Sequence, residues 1–250
     1  MKRIIVALAV TTLLFTSCKN KAEQTDPIVA EYTYTKEFPP INPLRYNVGF
    51  LIMDGTYNTE FTAPFDIFQH TIYRDSIKAM NVFSVANTDN LITTFEGVRI
   101  QPDYNYLKDP IPKIDILVIP SAEHHLDTDL KDTLMLNWVR EVSETAMFVT
   151  SHCDGAFVLA KAGLLDNLVS TTFPSDIDAY KEMFPQLDVR EDVLFVRHNR
   201  FITSAGGAKS FEAALFTCEL LYGKAVTKRL AQGLVIDWDL DKVPHINIVD

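Results

Sequence analysis

The sequence predicts an α/β fold: one domain built on a doubly wound, mostly parallel sheet with helices on both faces. Three observations predict it. Short, continuously apolar runs such as residues 47–53 and 115–120 have the pattern of strands covered on both sides. Stretches with apolar residues at helical spacing alternate with these runs, the order that gives a parallel sheet. The chain has 250 residues, 47% of them hydrophobic, enough to bury a sizeable core.

The elements follow in order. Residues 47–53 form a first strand, stopped by Asp54-Gly55. Phe61, Phe65, Phe68 and Ile72 then share one helix face, and Pro64 is placed in that helix's first turn, leaving Glu60 just ahead of it in the loop. Residues 82–86 are a second strand, and 93–100 read as a small hairpin turning at Glu96-Gly97. The run 115–120 is the next buried strand. Leu130, Leu134, Met135, Trp138, Val139 and Val142 mark a helix. A further strand over 146–150 leads straight into Ser151-His152-Cys153-Asp154-Gly155, and 156–165 is a good helix former. A mixed segment with Pro174 and Pro185 precedes short strands at 193–196 and 201–204. Helices over 209–222 and 225–234 complete the domain, and no internal repeat is visible.

The N-terminus reads as an address. Lys2-Arg3, a short apolar stretch over 4–15 and Thr16-Ser17-Cys18 have the anatomy of a bacterial lipoprotein signal. Residues 1–17 are expected to be removed and Cys18 lipidated, holding an exported protein at a membrane surface. Residues 18–43, polar and interrupted by Pro27, Pro39 and Pro40, read as a tether; 44–235 as the folded domain; 236–250 as a tail. The formal net charge is −10 and no basic run follows the first residues, so nucleic-acid binding is not expected. The sixteen residues after Leu234 are too few for a DNA-binding domain.

Two cysteines besides Cys18 remain, and an oxidising compartment permits a disulfide between them. Against it, Phe211, Leu215, Cys218 and Tyr222 recur at helical spacing, which makes Cys218 a core residue. Cys153 is different. It stands on a sharp strand-to-helix turn with Gly155 two residues on, the arrangement that presents a nucleophile above a sheet. The helix start behind it favours a thiolate, and its backbone N–H groups suit a developing oxyanion. Glu60, also past a strand's carboxyl end, is placed at the same sheet edge, where α/β folds bind ligands. His152 points to the opposite face of its strand from Cys153. His124 and His125, in the loop after Ser121-Ala122-Glu123, read as a polar pocket rim. No spaced His/Cys set points to a metal.

These motifs resemble the DJ-1/PfpI superfamily of class I glutamine amidotransferase-like domains. The resemblance is carried by Thr150-Ser151-His152-Cys153-Asp154-Gly155-Ala156, by Thr59-Glu60-Phe61-Thr62-Ala63-Pro64-Phe65-Asp66, and by Phe201-Ile202-Thr203-Ser204-Ala205-Gly206-Gly207. It spans roughly residues 46–235 and is nearest the subgroup containing isonitrile hydratase and the amidotransferase-like halves of AraC-type regulators. It implies a flavodoxin-like fold, Cys153 as nucleophile, Glu60 as the acid beside its sulfur, and a homodimer; no cofactor is implied. Asp154, adjacent to Cys153 in the chain, is a further candidate catalytic residue. Ser121, Ala122, Gly155 and His124 are the expected pocket and oxyanion positions. The chain departs from the pattern in four places: Glu60 stands where isonitrile hydratase-like members have Asp, and three further positions differ. Ser121-Ala122 replaces a glycine pair, Asp154 stands where Thr or His is usual, and Phe173 replaces a histidine. The expected function is a small-molecule hydratase or C–N hydrolase using Cys153; a redox or electrophile sensor and a non-catalytic ligand-binding module are the alternatives.

Overall fold

Eight strands assemble into one sheet in the computed structural model, which describes residues 36–250. Residues 1–17, Cys18 and the tether as far as 35 lie outside the described residues. In chain order the first elements are β1 (Tyr46–Leu51), α1 (Asn58–Gln69), β2 (Met80–Ala86), β3 (Ile92–Thr93), β4 (Arg99–Ile100) and β5 (Tyr104–Asn105). Next come β6 (Ile116–Ile119), α2 (Thr133–Thr145), β7 (Phe148–His152), α3 (Gly155–Lys161), β8 (Val169–Ser170), α4 (Ile177–Met183) and β9 (Asp188–Val189). The chain closes with β10 (Phe195–His198), β11 (Phe201–Ser204), α5 (Ser210–Tyr222), α6 (Lys224–Gly233) and β12 (His245–Ile248).

The sheet order is β12-β10-β11-β7-β6-β1-β2-β5. Every neighbouring pair is parallel except β10 with β11. Side chains alternate between two cores, as a strand buried on both faces requires. In β6, Leu117 and Ile119 enter the core under α2, α3 and α4, while Ile116 and Val118 enter the one under α1, α5 and α6. Phe50 and Phe83 are fully buried, on opposite faces. Each such side chain stabilises the fold by roughly 1.5–3 kcal/mol. The register aligns Ile119 with Ser151 and His152 with Ser204, so β6, β7 and β11 end level with one another immediately before Cys153.

Several boundaries differ from the sequence reading, each for a tertiary reason. Helix α1 begins at Asn58, so Glu60 lies inside its first turn and Pro64 in its interior. Its start is set from elsewhere: the Asn58 amide donates to Glu96 Oε2 of the β3–β4 hairpin at 2.9 Å. Leu134 is exposed, because Asp132 caps α2 by accepting from the Leu134 and Met135 amides and turns Leu134 outward. Helix α3 is shorter than expected and ends before Gly163, which has φ +75°. The mixed segment contains α4, anchored by the fully buried Tyr180.

The expected tail is part of the domain. Residue Trp238 is buried and donates to Glu219 Oε2 at 2.6 Å, and β12 pairs with β10 at the sheet edge. At the other end the compact unit runs from Glu37, not residue 44. Phe38 stacks on Tyr104 at 5.1 Å, and Asn42 exchanges hydrogen bonds with Asn81.

Candidate active site

Cys153 follows β7 with φ +54°, a left-handed backbone that costs a non-glycine residue on the order of 1 kcal/mol or more. Neighbouring backbone holds it there. The Cys153 amide donates to the Ser204 carbonyl at 3.0 Å. A Cβ on Gly206 would stand 2.3 Å from Cys153 Cβ, and one on Gly155 would stand 2.1 Å from the Ile119 carbonyl oxygen. Both glycines are therefore required by close approach, one from β11 and one from β6.

The thiol is 6% exposed. Burial, then the Asp154 carboxylate, pushes its pKa well above the usual thiol range. The Glu60 charge adds to the rise, while Ser121 and the Asp154 backbone N–H act against it. The Ser121 hydroxyl is thus near enough to favour a thiolate, though it completes no hydrogen bond of normal geometry. The helix start favours a thiolate, but burial and two nearby carboxylates push the thiol's pKa the other way.

Its hydrogen-bond acceptor is Asp154, whose Oδ2 lies 3.5 Å from Sγ. Asp154 is 8% exposed. Thr172 Oγ1 sits 3.1 Å from both Asp154 Oδ1 and the Cys153 carbonyl oxygen, tying the carboxyl to the turn. Burial, and next the neighbouring Asp176 carboxylate, raise the Asp154 pKa to about 6. A carboxyl balanced between its two forms near neutrality, in contact with a protonated thiol, is equipped to take the thiol's proton.

Glu60 reaches the site from α1 and is buried, but its hydrogen bond is elsewhere: Oε1 accepts from the Gly207 amide at 2.9 Å. It acts on the sulfur through its charge and anchors the turn that carries Gly206. The expected oxyanion position at Ala122 is also occupied, since the Ala122 amide donates to His125 Nδ1 at 3.2 Å. His124 is exposed and lines a cleft of about 220 Å³ with Met53, Asp54, Tyr106, Asp129 and Met135, whose walls include neither Cys153 nor Glu60. The two histidines of the expected rim therefore separate.

No histidine near the thiol is able to serve as its base. His125 is fully buried, and burial holds its pKa down to about 3 against a weaker pull from the Asp154 backbone. Burial likewise lowers His152 to about 3, and its Nδ1 meets Ser204 Oγ at 3.1 Å. Phe173 is exposed on a short turn. Cys218 is fully buried on α5, and both it and Cys153 are free, so the permitted disulfide is not formed. Among the described residues no group of three His, Cys, Asp or Glu side chains is placed to hold a metal ion.

Sequence reading missed three residues. Tyr57 occupies the N-cap position of α1, donates its amide to the Ser121 carbonyl at 3.0 Å and packs its ring, tilted by 34°, against Phe95 with centroids 4.6 Å apart. Burial, and then the Cys153, Glu123, Asp154 and Glu60 charges, raise its phenol pKa. Nothing in the local sequence signals this. Thr172 sits in a segment already tied to the resemblance, so its position was accessible; Asp176 became visible only once α4 was folded back onto the turn.

The DJ-1/PfpI family profile matches residues 46–220. The isonitrile hydratase of Pseudomonas putida is 24% identical over 190 residues, which are 72% of this chain and 74% of that protein. The HTH-type transcriptional regulator CdhR of Pseudomonas aeruginosa is 28% identical over 128 residues, 51% of this chain and 37% of the regulator. The crystal structure of Drosophila melanogaster DJ-1beta superimposes with a TM-score of 0.65 at 22% identity, covering 78% of this chain and all of that one. With the family profile covering β1 to β11, the cysteine turn and the glycines that enforce it, the chain belongs to the DJ-1/PfpI family.

Proposed function

We propose that the protein is a cysteine-dependent hydratase for small isonitriles, with Cys153 as nucleophile and Asp154 as its base. The observation that carries this reading is the Cys153 turn itself: a left-handed cysteine enforced by Gly206 and Gly155, with a carboxyl titrating near 6 at 3.5 Å from its sulfur. The similarity to isonitrile hydratase supports the choice of substrate. A slender, linear functional group also suits a thiol that is 6% exposed.

In this reading Asp154 takes the thiol proton as sulfur adds to the terminal carbon of R–N≡C. The same carboxyl returns the proton to that carbon, giving a thioimidate, R–N=CH–S–Cys153. Water then adds at this carbon and a proton passes to nitrogen. The C–S bond breaks, releasing the formamide R–NH–CHO and restoring the thiol. Ser121 and the Asp154 N–H favour negative charge on sulfur when it attacks and when it leaves.

Purified full-length protein incubated with a small alkyl isonitrile should accumulate the formamide. Cys153→Ser should abolish turnover, and Asp154→Asn should lower kcat/KM by about 10²-fold or more, the usual worth of a positioned base. Equal turnover in the unsubstituted and Cys153→Ser proteins would remove the reading. Absence of turnover in all three, with ligand-induced stabilisation retained, would make the protein a binding module instead. The sensor alternative is less well supported, because a buried thiol raised in pKa by two carboxylates oxidises slowly.

The protein is further proposed to be exported and held at a membrane by acyl chains on Cys18, and to act as a homodimer. The support is the signal-like sequence over 1–18 and the family resemblance; no described helix is long and apolar enough to cross a membrane. Cells fed a radiolabelled fatty acid should label the protein, and Cys18→Ser should not label. Label retained in Cys18→Ser would refute the anchor.

A further inference from the structure

The Asp154 carboxyl has two directions open to it. It stands at the N-cap of α3, where an aspartate ordinarily accepts a backbone N–H of the first helical turn, yet it makes no such bond. Instead its Oδ2 lies 3.5 Å from Cys153 Sγ and its Oδ1 lies 3.1 Å from Thr172 Oγ1. The same hydroxyl oxygen is 3.1 Å from the Cys153 carbonyl oxygen. Thr172 is 1% exposed, so its hydroxyl is shielded from bulk water.

The segment carrying Thr172 is itself tied down. The Thr171 amide donates to Thr203 Oγ1 of β11 at 2.9 Å, and Thr171 Oγ1 donates to the Arg190 carbonyl at 2.7 Å. Just before it, the Val169 amide donates to His198 Nδ1 of β10 at 2.9 Å. Thr172 is thus referenced to β10 and β11, and β11 also receives the Cys153 amide at the Ser204 carbonyl. A group that aims another needs such support.

We propose that Thr172 is a positioning residue whose hydroxyl holds Asp154 out of the helix cap and aims its Oδ2 at the Cys153 sulfur. The inference rests on the reading of Cys153 as nucleophile and Asp154 as its base, and adds the group that aims that base. The Thr172 hydroxyl carries one hydrogen and faces two acceptors. While Asp154 is a carboxylate, the hydrogen goes to the charged Oδ1. Once the thiol proton has moved from Sγ to Oδ2, the neutral carboxyl accepts less strongly, and the Cys153 carbonyl is the alternative partner at the same distance. Thr172 neither gains nor loses a proton, and no group is oxidised or reduced.

The groups acting on Asp154 have known directions. Burial and the Asp176 carboxylate, from the N-cap of α4, raise its pKa, whereas the Thr172 hydroxyl and the Cys153 thiol lower it. Glu60 of α1 acts on the thiol. Tyr57, at the start of α1, and His125, from the β6–α2 loop, are both neutral.

Carbon-13 NMR of the full-length protein tests the link without substrate, the Asp154 carboxyl signal being identified by its loss in Asp154→Asn. Asp154 should titrate near 6, and Thr172→Val should raise that midpoint by about one pH unit, with Thr172→Ser restoring it. In the unsubstituted protein the Thr172 Cβ signal should shift through the same midpoint, a check that needs no variant at this position. The acidic limb of kcat/KM for a small alkyl isonitrile should move up with the midpoint in Thr172→Val, and its plateau should fall about 10-fold or more, as expected for a misaimed base. Thr172→Ala removes the same hydroxyl and stands in should Thr172→Val not fold. An Asp154 midpoint unmoved by loss of the hydroxyl, a shift that Thr172→Ser does not reverse, or a Thr172 Cβ signal indifferent to pH overturns the proposal. A shifted and rescued midpoint with no isonitrile turnover in any of the proteins keeps the Thr172 link and removes the hydratase reading. Turnover with an unmoved midpoint removes the link and leaves the hydratase standing.

Discussion

At the scale of single residues the site depends on backbone more than on side-chain inventory. Gly206 closes on the Cys153 turn, which holds φ +54°, so tightly that a side chain at position 206 would clash with it. Gly206→Ala would place a methyl 2.6 Å from the Cys153 amide nitrogen at a residue with φ +75°, so both contact and conformation oppose it. The expected result is a loss of about 1–3 kcal/mol in urea denaturation, together with reduced turnover, because the turn must shift. Gly97→Ala is the informative comparison. Gly97 has φ +89° but nothing within 4 Å, so it should lose about 1 kcal/mol at most and leave turnover unchanged. Equal losses at the two positions would mean that the close approach to Cys153 is relieved at no cost. Residue identity was legible at this scale: Cys153, Asp154 and Gly155 stand out in the sequence. Their division of labour was not. Glu60 was expected to contact the sulfur and instead accepts from Gly207, while Asp154 takes the contact.

Among the elements, the strands were the most readable. β1, β2, β6 and β7 are buried on both faces, and continuous apolar runs report that directly. Helix starts fared worse where the cap comes from a distant segment. Asp132 caps α2 from the adjacent residue, a local signal; α1 is capped by Glu96, far along the chain. The short α4 and β12 were missed because their apolar anchors are few: Tyr180 for one, and Trp238 with the stack of His245 on Phe195 for the other. β12 nevertheless covers the edge of β10, receiving the Asn199 amide at the Ile248 carbonyl, while the adjoining Pro244 carbonyl accepts from Leu194. A chain ending at Val243 should lose about 2–4 kcal/mol and self-associate through the bared edge. Turnover per folded molecule should persist, because β12 lies at the sheet edge with β10 and β11 between it and β7. Unchanged stability would show that β12 adds nothing to the sheet.

Over the whole molecule the buried histidines make the protein acid-labile. His125 and His152 have folded pKa values of about 3, against about 6.5 when unfolded, so between these limits the unfolded chain binds more protons. Their contribution is complete above pH 6.5 and is lost as pH falls toward 3. At pH 5 each costs about 2 kcal/mol. Asp154 acts oppositely: its pKa of about 6 lies above the unfolded value, so the folded state gains protons first and is favoured by about 1 kcal/mol at pH 5. The net loss from pH 7 to pH 5 should be about 2–3 kcal/mol, measured by urea unfolding, and His152→Gln should flatten the slope. A pH-independent urea midpoint would contradict the burial of neutral imidazoles.

The sequence by itself determined the strand order along the chain, the parallel two-sided sheet, the cysteine turn and the family, because each is written in local periodicity or in contiguous motifs. Only the tertiary structure decided which carboxyl meets the thiol, that the Ala122 amide is already bonded to His125, and that Thr172 ties the Asp154 carboxyl to the Cys153 turn. These are distances between segments brought together at one sheet edge. They depend on how far each strand runs before its loop begins, which is set by packing on both faces of the sheet and not by any neighbour in sequence.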